Sequence, residues 1–285
     1  MKMDKVQYLL DGLSMRKGCP RECPACHSRL SHKLDQKWSY ELLSCDDCAL
    51  LYRYPYESSA HMKAFYQKGY KQSGLTTDLP SSSELQELVR TNFANTEKDI
   101  TTTTHLLRAL GVHQGARVLD YGANWGYGVF QFEKAGFASV GYEISEPRAN
   151  YASNLGVVVH AQEDAVVGPF DVVHSKHVLE HVPDPRASLQ VQWDWVKPGG
   201  YLIAETPNGS LDRRQVDFAG FHKHWGQVHP FLLTDDFVHK MFPTEAIYLA
   251  SEADSEDVSR WDQLLTTIVP PNRSNLQFIV KKAMV

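Results

Sequence analysis

The side chains able to do chemistry fall into three groups along this sequence. The first is Asp120, followed at short spacing by Gly122, Asn124, Gly126 and Gly128. An acid that ends an apolar run and breaks into glycines lets backbone pass close to a ligand. The helix that follows then offers free N–H groups to it. The second group is histidine: His177 and His181 in one cluster, His222, His224 and His229 in another. Imidazole titrates near neutral pH, so a histidine at a binding edge can take a proton from an acceptor. The third is cysteine. All five lie early, and Cys23-Pro24-Ala25-Cys26 and Cys45-Asp46-Asp47-Cys48 are two C-x-x-C pairs with 18 residues between them.

Matched pairs at that spacing predict a zinc ribbon in which Cys23, Cys26, Cys45 and Cys48 supply four thiolates. Disulfides or a redox pair are the alternatives; a cytoplasmic address disfavours the first and the matched pairs disfavour the second. Four thiolates close the coordination shell, so this metal folds the segment and stays out of the chemistry. Cys19 is left over, a bystander or, like His27, a competing ligand.

These groups need elements to hold them. Val118 and Leu119 read as a buried strand over residues 117–120, and Phe130, Phe132 and Glu133 continue at helical spacing towards Gly136, a candidate cap. From there strand and helix signals alternate. Strands are expected over residues 139–143, 157–160, 170–174 and 201–205, then 246–250 and 276–281, with helices after Gly126, Pro147 and Pro185. That order predicts an α/β fold with a mostly parallel, Rossmann-like sheet. Residues 206–233 read as irregular, and Thr234 with Asp235 and Asp236 starts a helix. In front lie a short helix (Val6, Leu9, Leu10, Leu13), the ribbon over residues 18–55 and a helix over residues 58–70 built on Met62, Phe65 and Tyr66. A polar loop to residue 83 and a helical region ending at Leu106, Leu107 and Leu110 follow. The domains expected are 1–57, helix and ribbon; 58–112, a helical linker; and 113–285, the main domain.

With 285 residues, 42% hydrophobic and 22% charged, the chain is ordinary for a globular protein. No run approaches the ~20 apolar residues of a membrane span. Asp4, Lys5 and Asp11 interrupt the start, so no signal-peptide core is expected and the expected address is cytoplasmic. The net charge of −5 is uneven: residues 1–75 carry 12 Lys and Arg against 8 Asp and Glu, leaving 17 against 26. A basic front end suits a phosphate-bearing substrate or is simply a solvated face, and an acidic main domain argues against nucleic acid.

Glu143 ends the second strand 23 residues after Asp120, where nucleotide folds place an acid for both ribose hydroxyls. Glu163, in Gln162-Glu163-Asp164 after the third strand, is placed to hold an adenine amine. Asp120-x-Gly122-x-Asn124-x-Gly126, Glu143, His177-x-Leu179-Glu180-His181-x-x-Asp184-Pro185 and Lys197-Pro198-Gly199-Gly200 together resemble the class I S-adenosylmethionine-dependent methyltransferases, over roughly residues 100–285. The resemblance implies a seven-stranded sheet with the last strand antiparallel. It also implies S-adenosylmethionine as cofactor, its amino acid end on Asp120, Gly122, Asn124 and Gly126, its ribose on Glu143, and Ile144, Glu163 and His177 nearby. Asn124 stands where the family usually has glycine; Asn tolerates left-handed backbone, and its amide is a further candidate contact. An NAD-dependent dehydrogenase, the rival on this fold, wants a three-glycine loop and leaves the His177–Pro185 motif without a role.

A four-cysteine ribbon before such a domain resembles the branch that methylates nucleotide-linked sugars and glycan precursors, as does the Phe65, Tyr66 and Tyr70 pattern. His229-Pro230-Phe231-Leu232-Leu233-Thr234 resembles the segment that in this branch begins with a catalytic-region histidine. The base expected is therefore His229, with His181 second and His224 third, while Tyr127 and Trp225 are candidate walls. The acceptor expected is a small molecule, a nucleotide-linked sugar or glycan precursor; the methylated atom and the oligomeric state stay open. Two alternatives remain: a zinc-ribbon RNA methyltransferase, and a protein that binds the cofactor without turnover.

Overall fold

The computed structural model describes residues 5–57, 78–226 and 229–284. The helix expected over residues 58–70 and most of the polar stretch after it lie outside the described residues. The chain begins with helix Lys5–Met15, then strands β1 (Ser31–Lys37), β2 (Tyr40–Cys45) and β3 (Leu51–Tyr54). Helices Ser82–Arg90 and Thr101–Ala109 form the helical region, broken between them by left-handed turns at Asn92, Phe93 and Asn95. Next come β4 (Arg117–Tyr121), β5 (Ala138–Tyr142), β6 (Val159–His160), β7 (Phe170–Lys176) and β8 (Val196–Pro207). The last strands are β9 (Phe231–Leu232), β10 (Ala246–Ala250), β11 (Thr267–Ile268) and β12 (Asn275–Lys281).

The large sheet runs β11-β10-β12-β8-β7-β4-β5-β6. The seven expected strands are all in it, and the two-residue β11 extends the edge. β12 pairs antiparallel with both β8 and β10, whereas β4, β5, β6, β7 and β8 are parallel. Side chains alternate between two cores. Leu119, Val173 and Leu202 enter one; Val118, Val172 and Ile203 enter the other. Burial on both faces is why these strands read as unbroken apolar runs. The order reverses between β4 and β7, and ligands in such sheets bind beyond the strand ends at that switch point.

Helix Pro185–Trp195 starts on Asp184, whose carboxylate accepts from Arg186 N and Ala187 N at 3.0 Å each. Thr234 caps helix Asp235–Met241 through Phe237 N at 2.9 Å, the start its sequence implies.

The stretch after β8, expected to be irregular, forms regular elements in its described residues. It holds helices Leu211–Val216 and Phe218–His224 and then β9, which leaves the large sheet altogether. β9 pairs with β3 as Leu51↔Leu232 and Tyr52↔Phe231, completing a second sheet β1-β2-β3-β9. The ribbon is thus part of the main body: Leu43, Leu50, Tyr52 and Tyr54 share one core with Phe231, Leu233, Phe237 and the large sheet. Trp225, expected as a ligand wall, is instead buried against Tyr40, Leu42, Leu51, Phe221 and Leu232. Its indole N–H donates to Asp35 at 2.8 Å, so its position is explained by packing between the ribbon and the segment from Asn208 to Leu233, the roof. No helix among the described residues is long and apolar enough to cross a membrane.

Candidate active site

Asp120 leaves β4 buried, beside buried His174 on β7, with Nδ1 of His174 2.8 Å from Asp120 Oδ1. Its other oxygen lies beneath Gly128 in the first turn of helix Tyr127–Lys134: a Cβ there would come within 2.3 Å of Oδ2. Only glycine lets the helix start sit this close to the acid. Gly122 and Gly126 have φ of +84° and +86°, and Asn124 has φ of +52°, the left-handed backbone that asparagine tolerates.

Glu143, at the end of β5, is buried. It accepts from Asn124 N at 3.1 Å and from Ser145 N at 2.8 Å. The acid expected to read a ribose therefore also ties down the glycine loop. Burial pushes its carboxyl above the usual glutamate range, against the pull of these two backbone donors. Ile144 follows it, half-buried. Glu163 is exposed past β6 and accepts from the Tyr121 hydroxyl at 3.1 Å.

Aromatic residues cover the loop. Phe93 lies 6.0 Å from the buried Trp125, and Tyr127 lies 5.0 Å from Trp125, centroid to centroid. Burial raises the Tyr127 phenol, with the charges of Asp120 and Glu143 adding to it. Gln131 holds the segment carrying Phe93, donating to Lys98 O at 2.8 Å and accepting from Ile100 N at 3.0 Å. Sequence reasoning missed Phe93; the signal was a lone aromatic among turn-forming asparagines.

On the far side of the switch point, Glu180 organises three histidines. It is 0% exposed. Its Oε2 accepts from Thr206 Oγ1 on β8 at 3.1 Å, while Oε1 lies 3.1 Å from His177 Nδ1 and 3.7 Å from His181 Nε2. Burial alone would raise this carboxyl. The charges of His181 and His177, the hydrogen bond from His177 and the charge of His229 reverse that and hold it at about 2. Glu180 stood in the expected motif without a role; its role depends on β8 and on residue 229, neither adjacent in sequence.

His177 and His229 are pushed apart. His177 has Glu180 on Nδ1 and Glu205 3.6 Å from Nε2, and its backbone is left-handed. Burial opposes its charge, yet the two carboxylates prevail and it keeps its proton to higher pH than an ordinary histidine. His229 goes the other way: burial dominates and lowers it, despite the raising effect of Glu180. Its Nδ1 lies 2.9 Å from the carbonyl oxygen of His224. A carbonyl can only accept, so Nδ1 carries the proton and Nε2 keeps its lone pair. The His229 ring lies 4.9 Å from that of His181. His224 contributes this carbonyl; its own half-buried imidazole has no hydrogen-bond partner on Nδ1 among the described residues. His222 is turned to the ribbon, Nδ1 at 2.7 Å from Asp35. Glu180, His181 and His229 also offer three ligand atoms all within 4.8 Å of one another.

The four cysteines converge as their spacing requires. Cys23 and Cys48 sulfurs are 3.5 Å apart, as are those of Cys26 and Cys45, and all four lie within 4.8 Å. Tetrahedral zinc–thiolate bonds of about 2.3 Å set sulfur–sulfur edges of about 3.8 Å, so this set fits one ion. Cys19 stands apart and accepts from Tyr56 N at 3.4 Å.

A family model described as "Methyltransferase domain" matches residues 84–249. The ubiquinone biosynthesis O-methyltransferase of Shewanella halifaxensis is 29% identical over 151 residues, which cover 49% of this chain and 63% of the relative. That of Methylococcus capsulatus is 28% identical over 158 residues, 52% of this chain and 61% of the relative. The chain spans about three fifths of the length of these curated relatives. Among solved structures, the magnesium protoporphyrin IX methyltransferase of Synechocystis PCC 6803 with bound SAH aligns with a TM-score of 0.51 at 14% identity, covering 78% of this chain and 100% of that one. That is a likeness of fold.

Proposed function

We propose, from the premise that the chain belongs to the class I S-adenosylmethionine-dependent methyltransferase family, that it moves a methyl group onto a small hydroxyl-bearing acceptor, with His229 as the base. The observation that carries this reading is the fixed tautomer of His229, its Nε2 lone pair left beside the Glu180–His181 pair. Bound S-adenosylmethionine supplies a methyl group on a sulfonium, and the residues do the rest. Asp120, Gly122, Asn124 and Gly126 receive the amino acid end, Glu143 accepts from both ribose hydroxyls, and Ile144 and Glu163 flank the adenine. His177 would lie beside the bound cofactor. His229 Nε2 would take the proton that the acceptor hydroxyl loses on accepting the methyl group. Glu180 steadies the imidazolium that results, and His181 beside it orients the acceptor.

Two acceptor classes have support. The ribbon and the segment opening on His229 favour a nucleotide-linked sugar or glycan precursor. The names of the curated relatives favour a hydroxylated ubiquinone precursor. A labelled-methyl assay against both panels separates them: transfer to nucleotide sugars alone supports the first, transfer to quinone precursors alone the second, and steeply salt-dependent transfer to RNA overturns both.

The donor set at Glu180, His181 and His229 supports a second reading, in which a divalent cation there polarises the acceptor hydroxyl. Manganese titration followed by electron paramagnetic resonance tests it without displacing zinc from soft thiolates. Micromolar binding that His229→Ala abolishes favours the cation; no binding, with full activity in its absence, favours the base.

The ribbon takes one structural zinc. Metal analysis is expected to return about one zinc per chain. Cys45→Ser is expected to lose the metal and, because Cys45 lies in the same core as the large sheet, to lower the melting temperature of the whole chain. A metal-free chain with an unchanged melting temperature would contradict this.

A further inference from the structure

We propose that the ribbon positions the base, with Arg53 as the positioning residue; the proposal rests on His229 being that base. Arg53 lies on β3, and its guanidinium is fully enclosed, 0% exposed. It holds the chain on both sides of His229. The backbone N–H of Arg53 donates to Pro230 O at 2.8 Å, and its Nη1 donates to Gly226 O at 3.2 Å. Between these two points Gly226 N donates to His229 O at 3.0 Å. The guanidinium is itself fixed from three other directions: Nε donates to Pro55 O at 3.2 Å, Nη2 pairs with Glu57, and its plane lies 4.6 Å from the Tyr40 ring centroid.

The rest of the segment is held from the ribbon too. Lys37 donates to Trp225 O. Thr234 Oγ1 donates to Ala49 O at 2.9 Å, and Lys240 Nζ donates to Asp47 O at 2.8 Å, both within the second cysteine knuckle. Strand β9 supplies the sheet pairing between them. The carbonyl of His224 that sets the His229 tautomer sits at the start of this segment. A shift of His229 relative to helix Phe218–His224 therefore lengthens the bond that keeps the Nε2 lone pair available. Only arginine answers three acceptors in different directions with one rigid fork; lysine keeps the charge and loses the fork.

The test is Arg53→Lys, read by turnover, by S-adenosylhomocysteine calorimetry and by long-range ¹H–¹⁵N spectra of the imidazoles, with His229→Gln assigning the His229 signals. The wild type is expected to show His229 as a single Nδ1–H tautomer. Arg53→Lys is expected to show a mixture of tautomers and a kcat lower by about 10- to 100-fold, the scale on which an ångström of misplacement acts, with cofactor affinity within about twofold. Glu57→Gln, at the half-buried end of the grip, serves if Arg53→Lys does not fold; a smaller loss in the same direction is expected. An unchanged tautomer and kcat, or a kcat loss matched by an equal loss of cofactor affinity, overturns the proposal. Failure of the base reading is separate: His229→Ala would keep full turnover, whatever the tautomer in Arg53→Lys.

Discussion

Glu143→Ala is expected to weaken S-adenosylhomocysteine binding by about 100-fold or more. Two hydrogen bonds from ribose hydroxyls to a charged acceptor contribute about 1.5–3 kcal/mol each, and the lower end of their sum already exceeds two orders of magnitude. The same carboxylate accepts from Asn124 N, so the variant also frees the glycine loop proposed to receive the amino acid end. Glu143→Gln keeps one acceptor and is expected to fall between. The pH dependence has a definite sign. Burial raises this carboxyl and ribose hydroxyls donate to its ionised form, so affinity is full above the raised value. It is lost as pH falls through it, at a pH higher than an ordinary glutamate would give. Calorimetry across pH 4 to 8 reads both effects; an alanine variant that binds like the wild type removes Glu143 from the site.

His229→Ala has the second large effect. A positioned general base contributes about 10²- to 10⁴-fold, so turnover is expected to fall by that factor while S-adenosylhomocysteine affinity holds. Burial lowers His229 below the ordinary histidine value, and only its neutral form takes a proton. Activity is therefore present above that lowered pKa and lost as pH falls through it, placing the acid limb of the profile below the usual histidine range. Glu180 raises His229 and His177 alike; Glu180→Gln is therefore expected to move the acid limb lower still. An acid limb above the usual histidine range would point to His177 instead, since its pKa is the raised one.

The sequence made the glycine loop, the sheet and the four-thiolate cluster legible, for physical reasons that also explain what it hid. Val118 and Leu119 are buried on both faces of β4, so they read as a strand in any context. Asp120, Gly122 and Gly126 answer local demands of backbone conformation and close approach, which residue type alone reports. The cysteines announce themselves by spacing. Glu180 did not: its carboxylate acquires meaning only when Thr206 on β8 and His229 on the roof reach it from distant parts of the chain. β9 was invisible for the same reason, a two-residue strand whose partner lies some 180 residues earlier. Trp225 shows the limit of composition, because an indole suits a ligand wall and a core equally until its neighbours are known. Phe93 was hidden by its polar, turn-forming surroundings.

The arrangement of ribbon, roof and sheet gives each part a distinct job. As proposed, the glycine loop and Glu143 hold the cofactor, the Glu180 cluster sets His177, whose pKa is raised, beside His229, whose pKa is lowered, and the ribbon braces the segment that carries His229. The measurement that bears most directly on this is a single-turnover transfer of labelled methyl from pre-bound S-adenosylmethionine to the acceptor identified from the panels, run on the wild type and on His229→Ala. If His229 is the base, both proteins bind the cofactor equally and the variant transfers at least about 100-fold more slowly. Equal transfer rates, or cofactor binding by the wild type with no transfer to any acceptor, would contradict it.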